Sequence, residues 1–531
     1  MSLRSTASAP EATIPLDSVA VHLHDRDDVA IAKADLKEGM LLEVSLPGGA
    51  PAQIRIVQPI PSGHKVALRP IGKGEPVHRY GQTIGFASCD IAAGEHVHTH
   101  NLAMGDLQQE YAFSTEAQPV TWVDPRERRT FMGYRRADGR VGTRNYIAII
   151  SSVNCSAHAT REIAHHFTKD RLSAYPNVDG VIALTHHGGC SGRIDGPDYV
   201  LLQRTLAGMA RHPNVGAYLL VGLGCEVNQV SALVRNYELD ADCDNASCPT
   251  SLLIQELGGV QKTIQAGIAT VNRLLPAVNA IQRTPEHVSE LTLALHCGGS
   301  DSWSGITANP TVGLVSDKVV RQGGSVVLAE TPEIYGAEGL LTCRAASPEI
   351  GQKLLELVRW WESRAEMLGI EIDNNPTPGN KKGGLTNIYE KSLGAITKAG
   401  STPLTGVYEY AEPVTTRGFA FMNSTGNDWI GVTGQVASGC NLVVFTTGRG
   451  SAFGFKPAPT IKVCSNSRTY NRMLDDMDVN AGRILEGVPK DLLADELFEL
   501  VVAVASGQPS KSEAQGIGEA EFCPWSLGAI L

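Results

Sequence analysis

The sequence predicts an α/β protein: an all-β N-terminal part, a linker, then two α/β regions built on parallel sheets. Three observations carry this. Short apolar runs broken by Gly, Pro and Asp fill residues 18–102. From residue 131 onward, apolar runs alternate with helical patterns, the rhythm of βα units and a parallel sheet. Three of those runs end in a cysteine at one interval, Cys155, Cys190 and Cys225, each 35 residues from the next.

In chain order, residues 1–17 lack the apolar stretch of a secretory signal and are expected to be a disordered tail. Residues 18–102 hold "AVHLHDRDDVAIA", "GMLLEVSLP", "AQIRIVQPI", "HKVALRPI" and "QTIGFASCDI", which suit a small β domain. Residues 103–130 mix Pro with charge and show no period, as a linker or extended arm does. A middle α/β domain is expected over 131–285. Its strands "NYIAIISSV", "GVIALT" and "GAYLLVGL" are each followed by a helical pattern, and a helix near its end is expected to break at Pro276. A third region, 286–531, opens with "LTLALHC" and continues through "GGSVVLAE", "GFAFMN" and "NLVVFTTG". Parallel strands predict right-handed crossovers.

The chain has 531 residues and a net charge of −11, which argues against a dedicated nucleic-acid binder. No apolar run approaches the ~18 residues of a membrane span. The 11 cysteines form no dense framework, so they are expected to be reduced, in the cytoplasm.

Ligands of parallel sheets bind beyond the carboxyl ends of the strands. Cys155, Cys190 and Cys225 belong on that edge, where three thiolates suit an iron–sulfur cluster with one iron open. The alternative is three small hydrophobes in glycine turns, with 35 residues the natural length of a βα unit. In "LHCGGSDSWSGITANP", His296, Cys297 and Asp301 sit among glycines, and Ser300, Ser302 and Thr307 offer hydroxyls to a polyhydroxylated ligand. Lys381, Lys382 and Arg449 stand in glycine-rich loops that suit carboxylate or phosphate, or are solvated charges. Glu330, Glu333 and Glu338 are candidate ligands or bases, or helix-start charge. His22, His24 and Asp25, and the alternating His96, His98 and His100, are candidates for metal or carboxylate binding.

"GHKVAL", "GYRRADGRVGTRN", "VGLGCE", "CGGSDSWSGITANP", "PTPGNKKGGLTN" and "FTTGRG" together resemble the altronate dehydratase and galactarate dehydratase family of sugar-acid dehydratases, essentially end to end. The resemblance implies a β-clip SAF domain, a long linker, a middle domain that contributes to dimer contact, and a Rossmann-like C-terminal sheet. A homodimer is therefore expected. It implies loss of water from a sugar acid to give a 2-keto-3-deoxy acid, with iron and without NAD or ATP. Two other readings stay open: elimination of another group, such as sulfite from a sulfolactate-like acid, and a non-catalytic sugar-acid binder. Iron is expected on Cys155, Cys190 and Cys225, with Cys297 as a substitute, or as a mononuclear ferrous ion on His and carboxylate. His296, His24, Asp25 and Lys381 are the expected catalytic groups. Arg144, Ser300, Asp301, Thr307, Lys382 and Arg449 are expected on the substrate.

Overall fold

The computed structural model describes residues 13–44, 52–107, 109–240 and 250–528. Of the expected tail, residues 1–12 lie outside that set. Thr13–Pro15 pairs in parallel with Leu41–Val44, and Leu16 is buried. The N-terminal part is strand-rich, with one four-residue helix, Leu16–Val19. Its largest sheet runs Ala20–Val21, Val29–Ala32, Lys65–Ala67, His96–Val97, all antiparallel. A hairpin, Pro76–Arg79 with Gln82–Ala87, turns on Tyr80 and Gly81 at φ 62° and 69°. Two left-handed residues are what a two-residue type I′ turn requires.

Between 104 and 129 the described residues hold no helix or strand and are laid against the C-terminal region. Ser114 and Glu116 donate backbone hydrogen bonds to the carbonyls of Thr342 and Cys343, and Val123 to that of Arg321.

The middle sheet has four parallel strands in the order Gly180–Leu184, Tyr146–Ser151, Val215–Gly222, Thr250–Leu253. The helix Val260–Ala280 contains Pro276 without a break. Buried Val271, Leu275 and Val278 hold it across the one hydrogen bond that proline removes.

The C-terminal sheet has seven parallel strands. Their order is Leu404–Tyr408, Gly418–Met422, Ser325–Leu328, Thr292–Cys297, Leu442–Thr447, Thr460–Cys464, Val479–Asn480. From Thr292–Cys297 the chain first moves to one side, through Ser325–Leu328. It returns to pair Leu442–Thr447 on the other. The strand order therefore reverses between Thr292–Cys297 and Leu442–Thr447, and ligands of open α/β sheets sit beyond the carboxyl ends at such a reversal.

One apolar core joins the N-terminal β region to this sheet. Val29, Ala67, Val77, Ile84 and Val97 belong to the same buried cluster as Leu293, Leu295, Val326 and Val444. Across the seam lies a buried ionic clamp. Glu390, on the helix Ile388–Ala395, accepts from Lys65 Nζ on both carboxylate oxygens at 2.9 Å, and from Arg79 Nη1. Thr386 Oγ1 adds a bond at 2.6 Å. Lys65 Nζ also donates to the carbonyl of Gly384 at 2.7 Å, and Arg79 Nη2 to that of Ser302 at 2.8 Å. The three charged side chains are at most 1% exposed. Burial alone would raise the Glu390 pKa. Lys65 and Arg79 outweigh it and hold the carboxyl at about 2. Burial also pulls Lys65 down to about 8, with Glu390 opposing.

Removing the anion strands two buried cations. Glu390→Gln should cost about 3–5 kcal/mol of stability at neutral pH. A carboxyl whose pKa is depressed by folding stabilises above its unfolded value, and loses that contribution as pH falls through the folded value. The deficit of the variant should therefore shrink from about pH 4.5 toward pH 2. Denaturant unfolding of both proteins across that range checks this.

Candidate active site

The clamp sets a histidine cluster over the reversal point. His64 precedes Lys65; His96 and His98 alternate along the neighbouring strand, with Val97 pointing into the core. His64 Nδ1 lies 3.0 Å from His96 Nε2, and His64 Nε2 lies 3.4 Å from the carbonyl of Lys382. The rings of His98 and His64 are 4.9 Å apart, those of His96 and His98 are stacked at 5.4 Å, and His100 is 5.3 Å from His96.

Facing them are the strand-end loops of the C-terminal sheet. Gly299, at φ 63°, accepts from the amide of Arg449 at 2.7 Å. The amide of Ser302 donates to the carbonyl of Gly383. A Cβ on Gly383 would lie 2.9 Å from Asp301 Cβ and 3.2 Å from Arg449 Cδ, so a side chain there would part the loops. Gly384, at φ 96°, is pressed on the carbonyl of Gly63. The helix Pro378–Lys382, which carries Lys381 and Lys382, ends here with the Lys382 carbonyl against His64.

Burial is the largest cause lowering the three imidazole pKa values. Lys65 and the neighbouring histidines add to it, taking His96 to about 3 and His98 to about 4, with His64 also lowered. One nitrogen from each ring falls within 4.8 Å of the others. His98 Nδ1 is buried without a partner. Three neutral imidazoles with an unpaired nitrogen are the donor set a first-row divalent metal takes.

Beneath the loop of Gly298 and Gly299 lies a second polar group. Lys398 Nζ is 2.7 Å from Cys297 Sγ and 3.6 Å from Glu330, and Lys391 Nζ is 2.6 Å from Glu333. Burial and the neighbouring Glu333 push the Glu330 carboxyl up. For Glu333, burial is outweighed by Lys391 and Lys398, and its pKa falls. Burial, then Glu330, drives the Cys297 thiol up. Two ammonium groups already balance the two carboxylates there, so Cys297, Glu330 and Glu333 have little need of a metal ion. His296 Nε2 lies 3.3 Å from Glu330 Oε1 and 3.7 Å from Asp428 Oδ1, ion pairs when the imidazole is protonated. Glu330 is held at φ 69°, a backbone strain that marks functional turns.

Family models match in sequence: the altronate/galactarate dehydratase SAF domain over residues 18–105, the second domain of D-galactarate dehydratase/altronate hydrolase over 133–279, and the C-terminal domain of D-galactarate/altronate dehydratase over 288–530. The altronate dehydratase of Escherichia coli is 37% identical over 94% of this chain and 97% of its own. This chain belongs to the D-galactarate/altronate dehydratase family. The galactarate dehydratase (L-threo-forming) of E. coli is 36% identical over 92% of this chain and 93% of its own. In Chromohalobacter salexigens two proteins divide the likeness. The (2R)-sulfolactate sulfo-lyase subunit beta is 33% identical over 399 residues, and subunit alpha 33% identical over 88 residues, the length of the SAF match.

Within this family framework, the residues singled out from sequence fall into four places. Lys381, Lys382 and Arg449 line the seam; Arg449 and Lys382 are exposed. Ser300, Asp301 and Thr307 are buried in its floor, tied to the protein itself. The Asp301 carboxylate accepts from Ser304 N and Oγ, Ser465 Oγ and Asn466 Nδ2, and Thr307 Oγ1 donates to the carbonyls of Trp303 and Ser465. His296 is fully buried one layer below. Cys155, Cys190 and Cys225 are exposed on the middle sheet.

One expectation needs correction on geometric grounds. All five N–H groups of Arg144 are engaged, by Glu513 and by the carbonyls of Thr143, Val504 and Gln508, so none is left for a substrate. His24 and Asp25 are exposed on the β region. The His24 ring packs on Gly81 and accepts from the amide of Arg26.

The sequence reading missed His64, Lys65, Arg79, Glu390, Lys391, Lys398 and Asp428. Lys391 and Lys398, seven apart in the apolar run "IYEKSLGAITK", were the available signal, since that spacing repeats a helix face. Two surface depressions, beside Phe113 and Glu349 and beside Trp122 and Arg128, hold no such convergence.

Thiol chemistry separates these environments. Burial raises the Cys440 thiol to about 12 and Cys464 to about 11, and Cys297 is buried as well. Alkylation of the native, metal-free protein at pH 8, read by mass spectrometry, should modify Cys89, Cys155, Cys190 and Cys225. Cys297, Cys440 and Cys464 should stay unmodified. Equal labelling of Cys297 would contradict the buried network.

Proposed function

We propose that this protein is a hydro-lyase that removes water from an aldonate or aldarate at the seam between the SAF histidines and the C-terminal strand ends. The observation that carries the reading is the meeting of His64, His96 and His98 with Lys381, Lys382 and Arg449 at the strand-order reversal. His64, His96 and His98 would hold a divalent metal, ferrous iron in this proposal. When bound, it supplies Lewis acidity to the carboxylate and hydroxyl of the acid.

The chain's own groups do the rest. Lys381, Lys382 and Arg449 bind and orient the carboxylate, which a guanidinium fork can grip on both oxygens. The metal-holding imidazoles are too weakly basic to take a proton from carbon. His100, exposed beside His96, is the imidazole left to take the α-proton and return one to the departing hydroxyl. Asp301 fixes the floor by tying the loop after Thr292–Cys297 to that after Thr460–Cys464.

A second reading is favoured by the two sulfo-lyase subunits. The same seam would eliminate sulfite from a sulfonated hydroxy acid, since the beta subunit is 33% identical to this chain over 399 residues and the alpha subunit 33% identical over 88.

Incubation with a panel of aldonates, aldarates and sulfolactate should yield a 2-keto-3-deoxy acid from a sugar acid and no sulfite. Sulfite from sulfolactate alone would select the second reading. His98→Ala and His100→Ala should each lower kcat/KM by roughly 10²–10⁴-fold, and only His98→Ala should also weaken metal binding. Undiminished turnover in both variants would remove the seam from the chemistry.

A further inference from the structure

The middle sheet carries a second convergence that the seam does not use. Cys155 follows the strand Tyr146–Ser151, Cys190 follows Gly180–Leu184, and Cys225 follows Val215–Gly222. These are adjacent parallel strands, so the three cysteines leave the same carboxyl edge. Their loops are bonded to one another. The amide of Asn154 donates to the carbonyl of Gly188, that of Val227 to Cys190, and that of Asn228 to Gly189. Asn228 Nδ2 donates to the carbonyl of Ser152 at 2.8 Å. Gly189 and Gly224 are in the left-handed region, at φ 92° and 127°. A Cβ on Gly189 would lie 2.4 Å from the Ser152 carbonyl oxygen. Buried Glu226 accepts from Ser152 Oγ and from the amides of Leu223 and Gly224, which fixes the turn presenting Cys225.

The thiols sense one another. Cys155 interacts electrostatically with both Cys190 and Cys225. Gln255 Nε2 points a donor at Cys225 Sγ from 3.4 Å. The three sulfurs do not all fall within 4.8 Å of one another. A tetrahedral zinc with bonds of about 2.3 Å needs thiolates about 3.8 Å apart, whereas a cubic iron–sulfur cluster spreads its ligands to roughly 6–7 Å. All three are exposed, so rotation about Cα–Cβ can open the set to that span.

We propose that Cys155, Cys190 and Cys225 hold a [4Fe–4S] cluster at the carboxyl edge of the middle sheet, with one iron left without a cysteine ligand. This inference stands on the middle sheet alone and does not depend on where dehydration occurs.

The test is anaerobic reconstitution of the full chain with ferric iron, sulfide and excess dithiothreitol, the dithiol reducing part of the iron to give the mixed-valent cluster. Roughly four iron and four acid-labile sulfide per chain are expected, with a visible sulfide-to-iron charge-transfer band. Cys155→Ser, Cys190→Ser and Cys225→Ser should each lose the band and the labile sulfide, with unchanged circular dichroism. Cys89→Ser, at an exposed cysteine of the β region, should keep both. In the reconstituted wild type, alkylation should spare Cys155, Cys190 and Cys225 while modifying Cys89; this measurement needs no variant to fold. Iron bound without labile sulfide, zinc bound in its place, or a band that survives the three substitutions would overturn the proposal.

Discussion

The carboxylate of Glu390 is the constraint on which the architecture turns. It is buried, and its two cations come from the β region, more than 300 residues away in the chain. A buried ion pair adds little net stability over an apolar contact of the same shape, because desolvation consumes most of the Coulomb gain. Its contribution is registration. Lys65 and Arg79 have one seat, and Lys65 is flanked by His64. With the ammonium seated, His64 has to lie against the carbonyl of Lys382. Apolar packing alone, through Val29, Ala67 and Val97, would join the two regions without fixing this alignment to ångströms.

The same logic explains why the chemistry gathers on one edge. Parallel strands deliver every loop after a strand to one side, and the reversal of strand order leaves a gap between two of those loops. Glycines at 299, 383 and 384 let backbones approach where side chains would collide. The space is roofed by neutral imidazoles and flanked by cations. Below, lysines and glutamates of near-balanced charge make a rigid, polar floor that is closed to solvent.

What the sequence disclosed depended on range. The βα rhythm and the 35-residue step are local patterns, and they placed Cys155, Cys190 and Cys225 on one sheet edge. The loop "CGGSDSWSGITANP" was legible as a ligand-side turn because glycine and hydroxyl side chains mark such turns. Glu390 was not legible, since a glutamate in a helix is ordinarily solvated, and nothing near it in sequence discloses two cations across a domain boundary. Arg144 illustrates the converse. An arginine in a glycine-bearing loop looks available for a substrate, and only the surrounding carbonyls show that it is fully occupied. His64 was passed over because it stands alone in sequence, while His96, His98 and His100 announce themselves by alternation.

The account rests on a sugar acid binding where the clamp aligns the histidines with the strand ends. The direct measurement is a crystal structure of the iron-loaded protein with a non-reacting sugar-acid analogue. The account predicts the analogue's carboxylate on Lys382 and Arg449, with a metal on His64, His96 and His98. An analogue bound beside Cys155, Cys190 and Cys225, with the seam empty, would contradict it.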